Sequence, residues 1–272
     1  MATEFHWAFE GVGDTMDHYM ELYGDLYGQE PTRLEGNIEG EAKPLIYTLK
    51  LPVKGPLGVR EKAFTFVFFD PTGEDLQEFY NTDSTDDTVD MLSWYISNST
   101  GIIFLVDPLK IPAIKAQLDE NEVERVSSGD WYRPDEMLTK VSDLIRRPLE
   151  PGKIGVPVSV VLSKLDVIEP VIPQGSTILK TSPHGEKGAF DLTDGQNVDA
   201  EVRGLLQAWG MGSFLKQLKM NYMNYSCFAV SALGMHNNPD GNGRINCPHP
   251  HRIEDPLLWI IMKQKIIKAR KN

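Results

Sequence analysis

Ser163-Lys164-Leu165-Asp166 sets a hydroxyl, an ammonium and a carboxylate directly after the apolar run Pro157-Val158-Ser159-Val160-Val161-Leu162. A carboxylate held just past a buried strand can accept two N–H donors from one edge of a ligand. Guanine offers that pair through its ring N–H and exocyclic amine. Adenine does not, and it would leave a buried Asp166 unpaired. The aliphatic stem of Lys164 can lie along a planar ring. The same residues also suit an ordinary turn after a strand. Two further polar clusters follow hydrophobic runs: Asp70-Pro71-Thr72-Gly73 and Ser231-Ala232-Leu233.

Other chemistry has weaker support. Cys247-Pro248-His249-Pro250-His251, with His236 nearby, offers sulfur and imidazole ligands. The alternating prolines restrict that geometry and no second Cys pair completes a zinc spacing, so a solvated loop is expected. Lys263, Lys265, Lys268, Arg270 and Lys271 suit the carboxyl end of a closing helix, or a contact with acidic lipid or a partner. Neither C-x-x-x-x-x-R nor a G-x-G-x-x-G after a strand is present, which leaves phosphatase and methyltransferase chemistry without a motif.

The elements that position these residues follow from hydropathy. Runs at 63–69, 101–106, 158–162 and 227–230 are almost continuously apolar, which predicts strands covered on both faces, as in a parallel sheet. Residues 45–51 partly alternate between prolines and predict an edge strand antiparallel to the first of these. Helices are expected over 14–27, 86–98, 134–145, 198–220 and, closing the chain, 256–269. The acidic run 83–87 complements a helix dipole rather than a metal. Residues 167–198 read as a long excursion loop rich in Pro, Gly and polar residues. The expected fold is α/β, one domain over 1–272 with a doubly wound, mostly parallel sheet whose ligands sit beyond the carboxyl ends of its strands.

Composition narrows the function classes. Against 39 acidic residues stand 27 Lys and Arg, a net charge of -12 over 272 residues, which disfavours binding to nucleic acid. Two cysteines cannot build a disulfide framework. No amino-terminal run has a signal-peptide pattern and no apolar run is long enough to span a bilayer, so a cytoplasmic protein is expected.

The three clusters come in the order, and each in the strand-end context, of the Ras-like GTPase superfamily. Ser163-Lys164-Leu165-Asp166 resembles its [N/T/S]-K-x-D guanine motif, Asp70-Pro71-Thr72-Gly73 its D-x-x-G, and Ser231-Ala232-Leu233 its S-A-[K/L] loop. The branch most resembled is the bacterial TRAFAC class of double-GTPase-type domains. Its markers here are Trp7 and Phe9, the helix 14–27, Pro31-Thr32, a D-x-x-G-E at 70–74 and Pro256-Leu257-Leu258-Trp259, together covering almost the whole chain.

The resemblance implies GTP or GDP as ligand, with Mg2+. Ser163, Lys164, Asp166, Ser231, Ala232 and Leu233 would meet guanine, although Ser163 stands where Asn is usual. Thr32 would be the switch threonine and, with Asp70, would hold magnesium; the Gly73 amide would meet the terminal phosphate. Glu74 occupies the place of a water-orienting glutamine, where a carboxylate repels phosphate. Thr32 equally suits a turn after Pro31, and Asp70 a cap.

The chain contains no G-x-x-x-x-G-K-[S/T], so the first strand and phosphate loop of that architecture are missing or degenerate. In one reading the chain starts downstream of a true loop, and 1–44 is the helix and switch-like segment that follow it. In the other, Phe5, Trp7 and Phe9 form a short strand and Gly11-Val12-Gly13-Asp14-Thr15 a loop without lysine, where Asp14 would oppose an anion. Loss of a central strand strands backbone N–H and C=O groups on both neighbours. The expected function is guanine-nucleotide binding, with hydrolysis weak or absent. The alternative is a non-enzymatic pseudo-GTPase that docks a protein partner.

Overall fold

The structure is a computed structural model that describes residues 8–28, 44–55, 58–71, 73–81, 87–118, 132–146, 152–184, 189–235 and 247–271. Three parallel strands carry the candidate site: β4 (Ile102–Val106), β5 (Val158–Leu162) and β7 (Tyr225–Ala229), in the order β4-β5-β7. Val106 lies opposite Leu162, and Leu162 opposite Ala229, so all three strands end in line. Every residue of β5 is buried. That explains its unbroken Val and Leu run, since a central strand covered on both faces has no solvent side. Each fully buried aliphatic side chain there contributes about 1.5–3 kcal/mol.

Helices pack on both faces of β5, while β4 leaves Ile103 and Leu105 40% and 57% exposed. Phe104, opposite Val160, meets Phe214 of the helix Gly212–Asn221, with ring centroids 5.9 Å apart. The hydroxyl of Ser159, one residue along and so on the other face, donates to Pro256 O at 2.9 Å in the closing helix. That helix packs so near the start of β4 that a Cβ on Gly101 would lie 2.5 Å from Ile260 Cγ2. A mixed α/β fold with a parallel sheet is therefore present.

The remaining described strands form two other sheets. β1 (Ala8–Gly11), β2 (Leu45–Gly55) and β3 (Gly58–Phe68) are antiparallel in that order. The antiparallel pairing expected for 45–51 is found, and β2 runs on through Pro52. Proline is tolerated there because β1 pairs only as far as Lys50, so the Pro52 nitrogen needs no partner on that side. β6 (Ala189–Asp191) pairs in parallel with β8 (Lys268–Arg270).

Several expected elements differ. Phe5 and Trp7 lie outside the described residues, and the strand that includes Phe9 is an antiparallel neighbour of β2. The following turn packs on the same strand: Val12 N–H donates to Ile46 O at 2.9 Å, and Ile46 N–H to Thr15 Oγ1 at 3.0 Å. It leads into α1 (Thr15–Tyr27). This segment does not form the parallel strand and loop that a degenerate phosphate loop requires. The helix expected over 198–220 is two, α7 (Leu192–Ala208) and α8 (Gly212–Asn221), because Gly210 takes a left-handed φ of 85°. The closing helix, α9, spans Asp255–Lys263 and not 256–269. Beyond it the chain forms β8, where Arg270 bonds Asp191 at 3.0 Å, so tertiary pairing overrides helix propensity. The stretch read as a loop holds short helical turns at Leu165–Ile168, Glu169–Val171 and Thr177–Leu179, then β6 and the start of α7.

Candidate functional site

Because β4, β5 and β7 end in register, Asp107, Ser163 and Val230 leave the sheet on one edge. Ser163 bridges to the first strand, its N–H donating to Val106 O at 3.1 Å and its hydroxyl to the same oxygen at 3.3 Å. Leu165 N–H donates to Val230 O at 3.0 Å, tying the loop to the third strand. Between these anchors Lys164 is left-handed, at φ 52° and ψ 41°. A non-glycine residue held there costs about 1–2 kcal/mol, and such strain concentrates at functional loops.

The Lys164 ammonium lies 2.8 Å from Asp107 Oδ2, with the two side chains 32% and 12% exposed. Asp107 Oδ1 accepts from Leu109 N–H at 2.9 Å, capping the short turn Pro108–Lys110. Next to it, the Tyr132 phenol is pushed up to about 12 by burial and by the Asp107 carboxylate. Lys110 reaches over the same ring, 5.6 Å from its centroid. Asp166 lies in the first turn after the loop and is half-buried.

The Ser231–Leu233 loop completes this edge. Ser231 pairs with His251 through both backbone groups, at 3.1 and 2.8 Å, and its Oγ accepts from Gly234 N–H at 2.8 Å. His249 N–H donates to Leu233 O at 3.1 Å. A Cβ on Gly234 would lie 2.2 Å from His249 O, so this close approach needs glycine. Ala232 is exposed. The Pro-His segment expected to be a solvated loop is thus a backbone clasp on the Ser231 loop, and the His251 ring bonds Ile178 O at 2.7 Å.

Ser163, Lys164, Asp166, Ser231, Ala232 and Leu233 accordingly share the carboxyl edge of one sheet. Asp70 and Gly73 follow a strand of a different sheet. Asp70, exposed, follows β3 of the antiparallel sheet, and Gly73 begins the helix Gly73–Asn81 with open space at its Cβ position. Thr32, Thr72 and the side chain of Glu74 lie outside the described residues. Among the described residues, a group of three carboxylate and imidazole ligands lies elsewhere.

That other group is His184, Asp194 and Asp255, the first and last buried and Asp194 partly exposed, with ligand atoms within 4.8 Å of one another. Arg252 fills its centre. Its guanidinium donates to Asp255 Oδ2 at 2.7 Å, to both oxygens of Asp194 at 2.9 and 3.1 Å, to Lys180 O at 2.8 Å and to Thr177 O at 3.3 Å. All five N–H donors of the fork are thereby used. Asp191 N–H donates to His184 Nδ1 at 3.0 Å, so the neutral ring keeps its proton on Nε2 and has no lone pair for a cation. The group is an ion-pair latch and not a metal centre.

No protein-family model matches the chain, and no solved structure matches it. A protein of Mycolicibacterium smegmatis named “Putative ESX-1 scaffolding and assembly protein SaeC” is 30% identical over 185 residues. The match covers 61% of this chain and 44% of that relative's length.

Proposed function

We propose that the carboxyl edge of β4, β5 and β7 is a guanine-recognition site in a Ras-like GTPase-type domain. The observation that carries this reading is the strained Lys164, clamped to Asp107 and followed by half-buried Asp166 at the end of the central strand. The clamp fixes the lysine stem beside the loop, and Asp166 supplies two acceptor oxygens to one edge of the base. The Ser231 amide is spent on His251, so the amide that meets the guanine carbonyl is that of Ala232. These residues choose and orient a base. The phosphate and magnesium ends have no such support, and no hydrolytic step is assigned. A titration with fluorescent GDP competed by ADP tests the reading: GDP-selective binding lost in Asp166→Ala supports it, and equal competition by ADP overturns it.

A second reading, a pseudo-GTPase that works by docking proteins, is favoured by the relative's name, which describes scaffolding and assembly. A folded sheet whose stability is unchanged by guanine nucleotide, together with absent base selectivity, would select it.

A further inference from the structure

The run Cys247-Pro248-His249-Pro250-His251 has a spacing that base recognition alone does not explain. It runs antiparallel to the loop after β7, with Ser231 opposite His251. The amide donors it gives that loop are His249, to Leu233 O, and His251, to Ser231 O. Pro248 and Pro250 occupy the alternate positions, whose N–H groups would point away from the loop. A proline ring restricts φ, so this segment loses little backbone entropy when it pairs.

Two successive side chains tie the segment to the rest of the fold. His251 Nε2–H donates to Ile178 O at 2.7 Å. Arg252, 2% exposed, reaches Lys180 O, Thr177 O, Asp194 and Asp255. Thr177 N–H in turn donates to Glu201 Oε2 at 2.8 Å, so these carbonyls are held on α7. Arg252 also has a left-handed φ of 55°, a strained conformation that persists only where its surroundings enforce it. On the base side, the sheet holds only the root of the loop, where Val230 N–H donates to Leu162 O at 2.9 Å. Beyond that root, Ser231 and Leu233 pair with residues 251 and 249, and exposed Ala232 lies between them.

We propose that residues 249–252 form a strap that sets the base loop, with His251 and Arg252 as positioning residues. Their side chains touch no base. They hold Ser231 and Leu233 so that the Ala232 amide stands where the guanine carbonyl arrives. This rests on the base-recognition reading and adds the device that fixes the carbonyl side of that site.

Hydrogen exchange and nucleoside titration of the full chain test the strap. His251→Ala removes the ring contact with Ile178 O and leaves the Arg252 ion pairs in place. The amides of Ser231, His249 and residue 251 should then exchange about fivefold faster, while Val230 N–H in the sheet is unchanged. Arg252→Lys should loosen the same amides. Unchanged exchange at the loop in His251→Ala would overturn the proposal. Guanosine and inosine share the carbonyl that the loop meets, so His251→Ala should weaken both about fivefold and keep their ratio. A side chain that served stability alone would leave both affinities unchanged well below the unfolding transition. Unchanged affinities, or a changed ratio, would therefore overturn the strap. If the unmodified chain binds neither nucleoside, the base reading fails, and the strap stands or falls on exchange alone.

Discussion

Lys164 Nζ lies 2.8 Å from Asp107 Oδ2, joining the loop after β5 to the end of β4. The contact fixes a lysine whose backbone is left-handed, with φ 52°. Glycine adopts that conformation without a Cβ clash. Lys164→Gly is therefore expected to be more stable than Lys164→Ala by about 1 kcal/mol, although both lose the ion pair. Urea denaturation of the two variants measures the difference, and equal midpoints would mean the loop stores no strain.

Arg252 is the strongest structural commitment. Removing it by Arg252→Met leaves Asp194 and Asp255 facing each other without a cation. The expected loss is about 3–5 kcal/mol in chemical denaturation. Arg252→Lys should rescue little, because an ammonium cannot reproduce a five-donor planar fork.

His184 gives the fold a pH dependence with a definite sign. Burial, the largest cause, holds its pKa below the ordinary value of 6.5, with Arg252 acting in the same direction and Asp194 against it. The folded chain thus binds this proton more weakly than the unfolded chain. Its contribution to stability is complete above 6.5 and is lost as pH falls from there toward the folded value. His184→Asn, which keeps an acceptor for Asp191 N–H, should flatten that part of the stability profile. An unchanged slope would place the dependence elsewhere.

The two cysteines should separate cleanly. Cys227 is buried and burial pushes its thiol up, whereas Cys247 is exposed. A thiol reagent should modify Cys247 alone in native protein and both after denaturation. Rapid reaction of Cys227→Ser protein, with none in Cys247→Ser, is the expected pattern.

What the sequence revealed depended on how local each signal was. β5 was legible because Val158, Val160, Val161 and Leu162 are all buried, and its end delivered Ser163 to Asp166. Asp107 was visible only as the end of a strand, since its pairing with Lys164 depends on the parallel register of two distant segments. The Arg252 latch draws on Thr177, Lys180, Asp194 and Asp255, which no local periodicity links. β8 was hidden because Ile266 and Ile267 just before it extend the apolar pattern of the closing helix, and only the pairing with β6 makes Lys268–Arg270 a strand. The break between α7 and α8 had a signal, Gly210. A glycine inside a helical pattern is often tolerated, so it did not decide the matter.

The central claim is that Asp166 reads guanine, and comparing guanosine with inosine by isothermal titration tests it without involving the phosphates. Inosine lacks the exocyclic amine. In the unmodified chain it should bind about tenfold more weakly than guanosine, the cost of leaving one carboxylate oxygen unpaired. In Asp166→Ala the two should bind alike. Equal affinities in the unmodified chain, or a preference that survives in Asp166→Ala, would contradict the assignment.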